Sequence, residues 1–131
     1  MLSVKDIMTR EIITISPNAS IGEATDKLLK HRVSGFPVVD DAGRLVGILT
    51  EFALLAIAYD NHVSDDLVAE HMTTDVLTIS SSDPVNKVAD AFILHRVRRL
   101  PVMENGRLVG LVARRDVLRA LHSATAPYAA C

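Results

Sequence analysis

The segments GRLVGILTEFA, Gly43 to Ala53, and GRLVGLVARRD, Gly106 to Asp116, are near-copies of a glycine-led apolar strand running into a helix start. A threonine that ends a strand, followed three residues later by an acid, has the spacing of a helix N-terminus, where free backbone N–H groups and the helix dipole favour a phosphate. The hydroxyl can join those donors, and an aspartate at the third position can accept two hydrogen bonds from ribose hydroxyls, which alanine cannot. The same two side chains can instead cap their own helix, worth about 1 kcal/mol. Spacing alone leaves both readings open. Each copy keeps only half of the pair: Thr50 is followed by Ala53, and Asp116 is preceded by Ala113.

Other reactive side chains form weaker patterns. His31, His62, His71, His95 and His122 show no H-x-x-x-H spacing and no cysteine pairing of the kind that binds zinc, so no metal is expected. His31 and His95 stand at the ends of two helical patterns, where the dipole favours a cation. No segment reads as a nucleophile elbow or a phosphate-binding P-loop, so no catalytic residue is assigned and the chain reads as non-enzymatic. Asp6, Asp26, Asp90 and Glu104 read as surface charges. Arg96, Arg98, Arg99, Arg114 and Arg115 could make one local basic patch, but the net charge of -2 argues against nucleic acid or an anionic membrane as a general partner. The single cysteine, Cys131, has no internal partner for a disulfide. The N-terminus does not read as a signal peptide, and no apolar run approaches the roughly 18 residues of a membrane span, so the cytoplasm is the expected location.

The elements that must position these groups come in duplicate. VKDIMTREIITIS from Val4 aligns with VAEHMTTDVLTIS from Val68, HRV at His31 with HRV at His95, and GRLVG at Gly43 with GRLVG at Gly106. One residue drops out in the second turn after the Val39 position. Agreement over about fifty positions is a duplication, and two copies suggest a pseudo-twofold pair. In each copy a short β-branched run, Ile12–Ile15 or Val76–Ile79, reads as a strand. A helix follows. Ser20 with Glu23 has capping-box spacing, while Asp83-Pro84 supplies an N-cap and a first-turn proline. Ile21, Ala24, Leu28 and Leu29, like Val85, Val88, Phe92 and Ile93, recur at helical spacing and mark buried faces. Two strands joined by a tight turn come next, with Asp-Ala-Gly or Asn-Gly as turn residues. A last helix runs from Glu51 to about Tyr59, or from Arg114 to about His122. Met8 and Met72 read as core or interface residues. Neither half of the 131-residue chain can bury much surface alone, so the halves should pack sheet against sheet.

The order of elements, the PV segments at Pro37 and Pro101, and the G-h-h-T-x-x-D pattern resemble the CBS domain, and the two copies together resemble a CBS pair, or Bateman module. The expected fold class is therefore α/β (α+β), two tandem β-α-β-β-α CBS motifs with pseudo-twofold symmetry. The motifs should span 1–60 and 67–123, with a linker at 61–66 and a flexible tail at 124–131. The resemblance implies a sensor that binds an adenosine-containing compound such as AMP, ADP, ATP, S-adenosylmethionine or NAD(H) in clefts between the motifs, with no cofactor required. It also implies a homodimer, to which the apolar helix Phe52–Tyr59 would contribute, and an unidentified protein partner that receives the signal. Carried over by position, one cleft would set Asp116 and Arg115 against Thr14, Ser16, Val33, Ser34, Gly35 and Phe36. The other would combine Thr50 with Thr78, Ser80, Arg98, Arg99 and Leu100. Ala113 and Ala53 depart from the family pattern, so the first cleft should favour ribose and the second phosphate. The alternative is a ligand-free dimerisation or protein-interaction scaffold.

Overall fold

The computed structural model describes residues 2–60 and 64–129. Positions 61–63 of the expected linker, and Cys131, lie outside the described residues. In chain order the first repeat gives α1 (Val4–Ile7), α2 (Ile21–His31), β1 (Gly35–Val39), β2 (Leu45–Thr50) and α3 (Glu51–Asp60). The second gives α4 (Val68–His71), β3 (Ile79–Ser80), α5 (Val85–His95), β4 (Arg99–Glu104), β5 (Arg107–Ala113) and α6 (Arg114–Ala129).

Local chemistry accounts for most boundaries. Ser20 Oγ accepts the Glu23 N–H at 3.0 Å and so closes one of the orphan donors at the start of α2. Both α2 and α5 end on a histidine and turn into the left-handed region at Arg32 (φ 54°) and Arg96 (φ 52°). The buried stripes are Ile21, Ala24 and Leu28 on α2, and Val85, Val88 and Phe92 on α5. Leu29 and Ile93, expected among them, are instead exposed. Each follows the last stripe residue by one position, a rotation of about 100° that takes it off the buried face. Asp83 is not the N-cap of α5. Pro84 occupies that position, and the Asp83 carboxylate reaches back to the Ser80 N–H at 2.9 Å and across to Lys87 Nζ at 3.2 Å.

The sheets are small. β1 pairs antiparallel with β2, and Ile15 adds a single parallel bridge to Val38. The other sheet has the order β3-β4-β5, with β3 parallel to β4 and β4 antiparallel to β5. The expected opening strands thus shrink to Ile15 and to Ile79–Ser80. The β4–β5 turn places Asn105 at φ 52° and Gly106 at φ 79°, the mirrored geometry that matches strand twist. The longer first turn is organised by Asp40, whose carboxylate accepts the N–H groups of Ala42 at 3.0 Å and Arg44 at 2.9 Å. The last helix passes the expected end near His122 and continues to Ala129, through a stretch that includes Pro127.

Repeats and compact units do not coincide. One unit comprises residues 13–76 and the other residues 1–12 with 77–131. Each repeat therefore gives its opening segment, with a single-turn helix that periodicity did not reveal, to the other repeat's unit. In the first unit Ile21 N–H donates to the Asp66 carbonyl at 2.8 Å and Val68 N–H to the Ala19 carbonyl at 2.8 Å. The second unit repeats this bond for bond, from Val85 N–H to Leu2 at 3.4 Å and from Val4 N–H to Asp83 at 2.9 Å. Residues 64–66 of the expected linker thus bind the start of α2. Val68 and Val4, both fully buried, sit in the cores of the units they complete. The methionines lock these segments down. A Cβ at Gly47 would lie 2.7 Å from Met72 Sδ, and one at Gly110 would lie 2.6 Å from Met8 Sδ. Among the described residues no helix is long and apolar enough to cross a membrane.

Candidate functional site

The two half-motifs stand where a strand passes directly into a helix. At the end of β2, Thr50 Oγ1 accepts the Ala53 N–H at 3.1 Å, and the Ser34 carbonyl accepts the Glu51 N–H at 2.9 Å. At the end of β5, Asp116 Oδ2 accepts the Ala113 N–H at 2.9 Å, while Asp116 Oδ1 lies 3.6 Å from Arg119 Nη1. A complete capping box uses a hydroxyl on the N3 amide and an N3 acid on the N-cap amide. Each junction makes one of those two bonds. Capping therefore occurs, but it does not exhaust the groups: Thr50 keeps its hydroxyl proton as a donor, and the Asp116 carboxylate has acceptor capacity left.

Within the first unit, Gly35 pairs with Thr50 across β1 and β2, so Ser34, Gly35 and Thr50 share one end of that sheet. A Cβ on Gly35 would lie 2.9 Å from the Leu49 carbonyl oxygen, which explains the glycine. Thr14 offers its carbonyl to Lys27 Nζ at 2.6 Å, and Ser16 Oγ accepts the Asn18 N–H at 3.1 Å. Val33 is half-buried against the core. Phe36 is only 1% exposed, as is its counterpart Leu100 in the second unit, so both residues belong to the cores.

Within the second unit, Arg99 pairs with Ala113 across β4 and β5, which brings Arg98, Arg99, Arg115 and Asp116 to one end of the sheet. Arg98, Arg99 and Arg115 are exposed, and Asp116 is half-buried. Thr78 and Ser80 stand just before and on β3, the parallel neighbour of β4. Ser80 Oγ lies 3.0 Å from Ser82 Oγ. Both Thr78 and Ser80 line an open hollow of about 780 Å³ between β3, α5 and the β4–β5 turn. Sequence reasoning did not find this hollow, because it depends on which helix side chains are short.

A second grouping was also missed. Asp66, Glu70 and His71 bring three ligand-type atoms within 4.8 Å of one another. Their spacing matches no named motif. The Asp66–His71 contact, 2.8 Å between Oδ2 and Nε2, is a hydrogen bond that fixes the turn leading into α4. Two carboxylates titrate low. Asp6 is held below the usual carboxylate range by the Ser3 N–H and hydroxyl, and Asp40 chiefly by the Arg44 N–H. Both are structural turn acids remote in sequence from the junctions.

Comparison with known proteins adds identity to this geometry. The chain is 34% identical over 118 residues to the CBS domain-containing protein YhcV of Bacillus subtilis, covering 89% of this chain and 84% of that one. It is 32% identical over 120 residues to an uncharacterized protein of Methanocaldococcus jannaschii, where it covers 92% of this chain but spans only 43% of the relative. Among solved structures, CBSX2 in complex with AMP superposes with a TM-score of 0.85 at 28% identity, covering 95% of this chain and 99% of that one. The CBS domain pair of protein MJ0100, in complex with 5-methylthioadenosine and S-adenosyl-L-methionine, gives 0.80 at 33% identity, covering 95% and 98%. A family model described as the CBS domain matches twice, over residues 4–60 and 65–123. The duplicated strand-helix-strand-strand-helix pattern is thus a tandem pair, and the chain belongs to the CBS domain family.

Proposed function

We propose that this chain is a non-enzymatic regulatory module that binds an adenosine-containing ligand and passes the binding event to a partner protein in the cytoplasm. The observation that carries the reading is the pair of half-used junctions, Thr50 before α3 and Asp116 at the start of α6, in a chain whose structural neighbours bind AMP, 5-methylthioadenosine and S-adenosylmethionine. Asp116 would accept the ribose hydroxyls, together with backbone groups near Thr14, Ser16, Val33, Ser34, Gly35 and Phe36, and Arg115 would approach the phosphate. Thr50, with Thr78, Ser80, Arg98, Arg99 and the Leu100 backbone, would form the second site. Lacking an acid at Ala53, that site would select phosphate over sugar. Regulation requires the ligand to prefer one state of the protein over another.

Thermal unfolding with AMP, ADP, ATP, S-adenosylmethionine, NAD(H) and adenosine tests the proposal. A ligand at about 100 times its dissociation constant adds about 2.7 kcal/mol of stability. A rise with at least one of them that disappears in Asp116→Ala supports the sensor; no rise with any of them refutes it.

The second reading is a ligand-free scaffold, and one observation favours it. On α3 only Leu54 and Ile57 are buried, whereas Phe52, Leu55 and Tyr59 are 78%, 66% and 83% exposed. An apolar helix face left open in the chain fits a homodimer interface. Both readings share that dimer, so the nucleotide titration separates them and the oligomeric state does not.

A further inference from the structure

The two repeats treat one corner of the fold differently. In the first unit Lys27, on α2, crosses to the opening strand and places Nζ 2.6 Å from the Thr14 carbonyl oxygen. Its repeat counterpart on α5 is Ala91, and the counterpart of Thr14 is Thr78; both line the hollow of the second unit. Lys30 likewise becomes Leu94, another lining residue. The acid at the edge changes too. Asp40 is consumed by its own turn and by Arg44 Nε at 3.1 Å. Its counterpart Glu104 precedes the shortened Asn105-Gly106 turn, which closes through backbone geometry and makes no such demand. Asp83 is already engaged by Ser80 and Lys87, but among the described residues neither Asp90 nor Glu104 takes part in an ion pair. One corner is filled by its own ammonium, while the other is lined by Ala91 and Leu94 beside Thr78, Asp90 and Glu104, with Lys87 turned to Asp83 and His95 also at the rim.

We propose that the hollow beside α5 binds a small aliphatic amine, its ammonium nitrogen taking toward Thr78 the place that Lys27 Nζ takes toward Thr14. The stem that Lys27 provides is four methylenes long, so the ligand class is a primary amine with about four carbons. The carboxylates of Asp90 and Glu104 favour a diammonium over a monoammonium ion, and Ala91 and Leu94 cover the methylenes.

The test uses the full chain, with backbone amide NMR shifts at Ser80, Ala91 and Glu104 as the readout, titrated with 1,4-diaminobutane, 1-aminobutane and 1-butanol. Saturable shifts for the amines and none for the alcohol are expected, with the diamine binding more tightly. Ala91→Lys rebuilds the first unit's corner and should weaken diamine binding by about tenfold or more, a loss of about 1.4 kcal/mol. The exposed Glu104→Gln should weaken the diamine more than the monoamine, which gives a second reading if Ala91→Lys does not fold. Absence of saturable shifts, equal shifts with 1-butanol, or diamine binding unchanged in both variants would overturn the proposal. So would binding of a lysine-containing peptide where the free amines do not bind.

Discussion

The two compact units share a backbone scaffold almost bond for bond, yet their polar corners have diverged. Ile21 N–H reaches Asp66 in one unit and Val85 N–H reaches Leu2 in the other; Met72 rests on Gly47 and Met8 on Gly110. By contrast, the strand-to-helix junctions keep a hydroxyl in one unit and a carboxylate in the other, and the corner that holds Lys27 in the first is open in the second. Bonds that close a core are constrained from every side, because an unmade buried hydrogen bond costs about 1–3 kcal/mol. Side chains at exposed element ends carry no such constraint. After duplication, each can change without its twin.

If the cores are equivalent, they should fail alike. Phe36→Ala and Leu100→Ala remove counterpart side chains that are each 1% exposed, and both should destabilise strongly, by about 3–5 and 2–5 kcal/mol, in chemical denaturation. A mild effect at one position would break the equivalence. The junctions should fail differently. Asp116→Ala should weaken an adenosine ligand by about 1.5–3 kcal/mol in calorimetry, the usual cost of losing a charged hydrogen-bond partner, whereas Thr50→Ala should mainly cost its cap, about 1 kcal/mol of stability. Equal ligand losses in the two variants would erase the distinction between ribose and phosphate sites. Gly47→Ala and Gly110→Ala should each cost about 1–3 kcal/mol, since the added carbon also meets a backbone oxygen, Thr73 at 2.8 Å or Thr9 at 3.0 Å.

The smallest effect concerns acid. Asp40 in its folded turn is held below the usual carboxylate range by the Arg44 N–H, and so adds stability above that range which disappears as pH falls through its lowered value. Asp40→Asn should therefore reduce the loss of stability between neutral and acid pH, followed by circular dichroism. The second repeat closes its turn with Asn105 and Gly106 and has no acid in that role.

The parts legible in the sequence were those written in short-range chemistry. The Ser20 cap on the Glu23 N–H, the Asn105-Gly106 turn and the helical stripe of Ile21, Ala24 and Leu28 each depend on neighbours a few residues away, and each formed, although Leu29 left the stripe. The exchange of opening segments was not legible. Val4 and Val68 look alike within their repeats, and nothing local says which core each will enter. Asp83 misled for a related reason: its position depends on whether Asp83 or Pro84 becomes the cap, and a carboxylate one place too early turns back to Ser80. For the candidate site, Thr50 and Asp116 were visible because the repeat shows what each copy lacks. The hollow beside α5 was invisible until Ala91 could be compared in space with Lys27.

The exchange of opening segments also bears on how such a molecule can be divided. A single repeat, cut out and expressed alone, would carry Val4 or Val68 on a segment shaped for another core and would leave its own core uncovered. Two identical copies could still lend each other these segments, but their assembly would then depend on protein concentration. Joining them in one chain makes the loan intramolecular and removes that dependence. The linkage of the two repeats is thus a thermodynamic device as well as a genetic one, and severing it should turn folding into a second-order reaction.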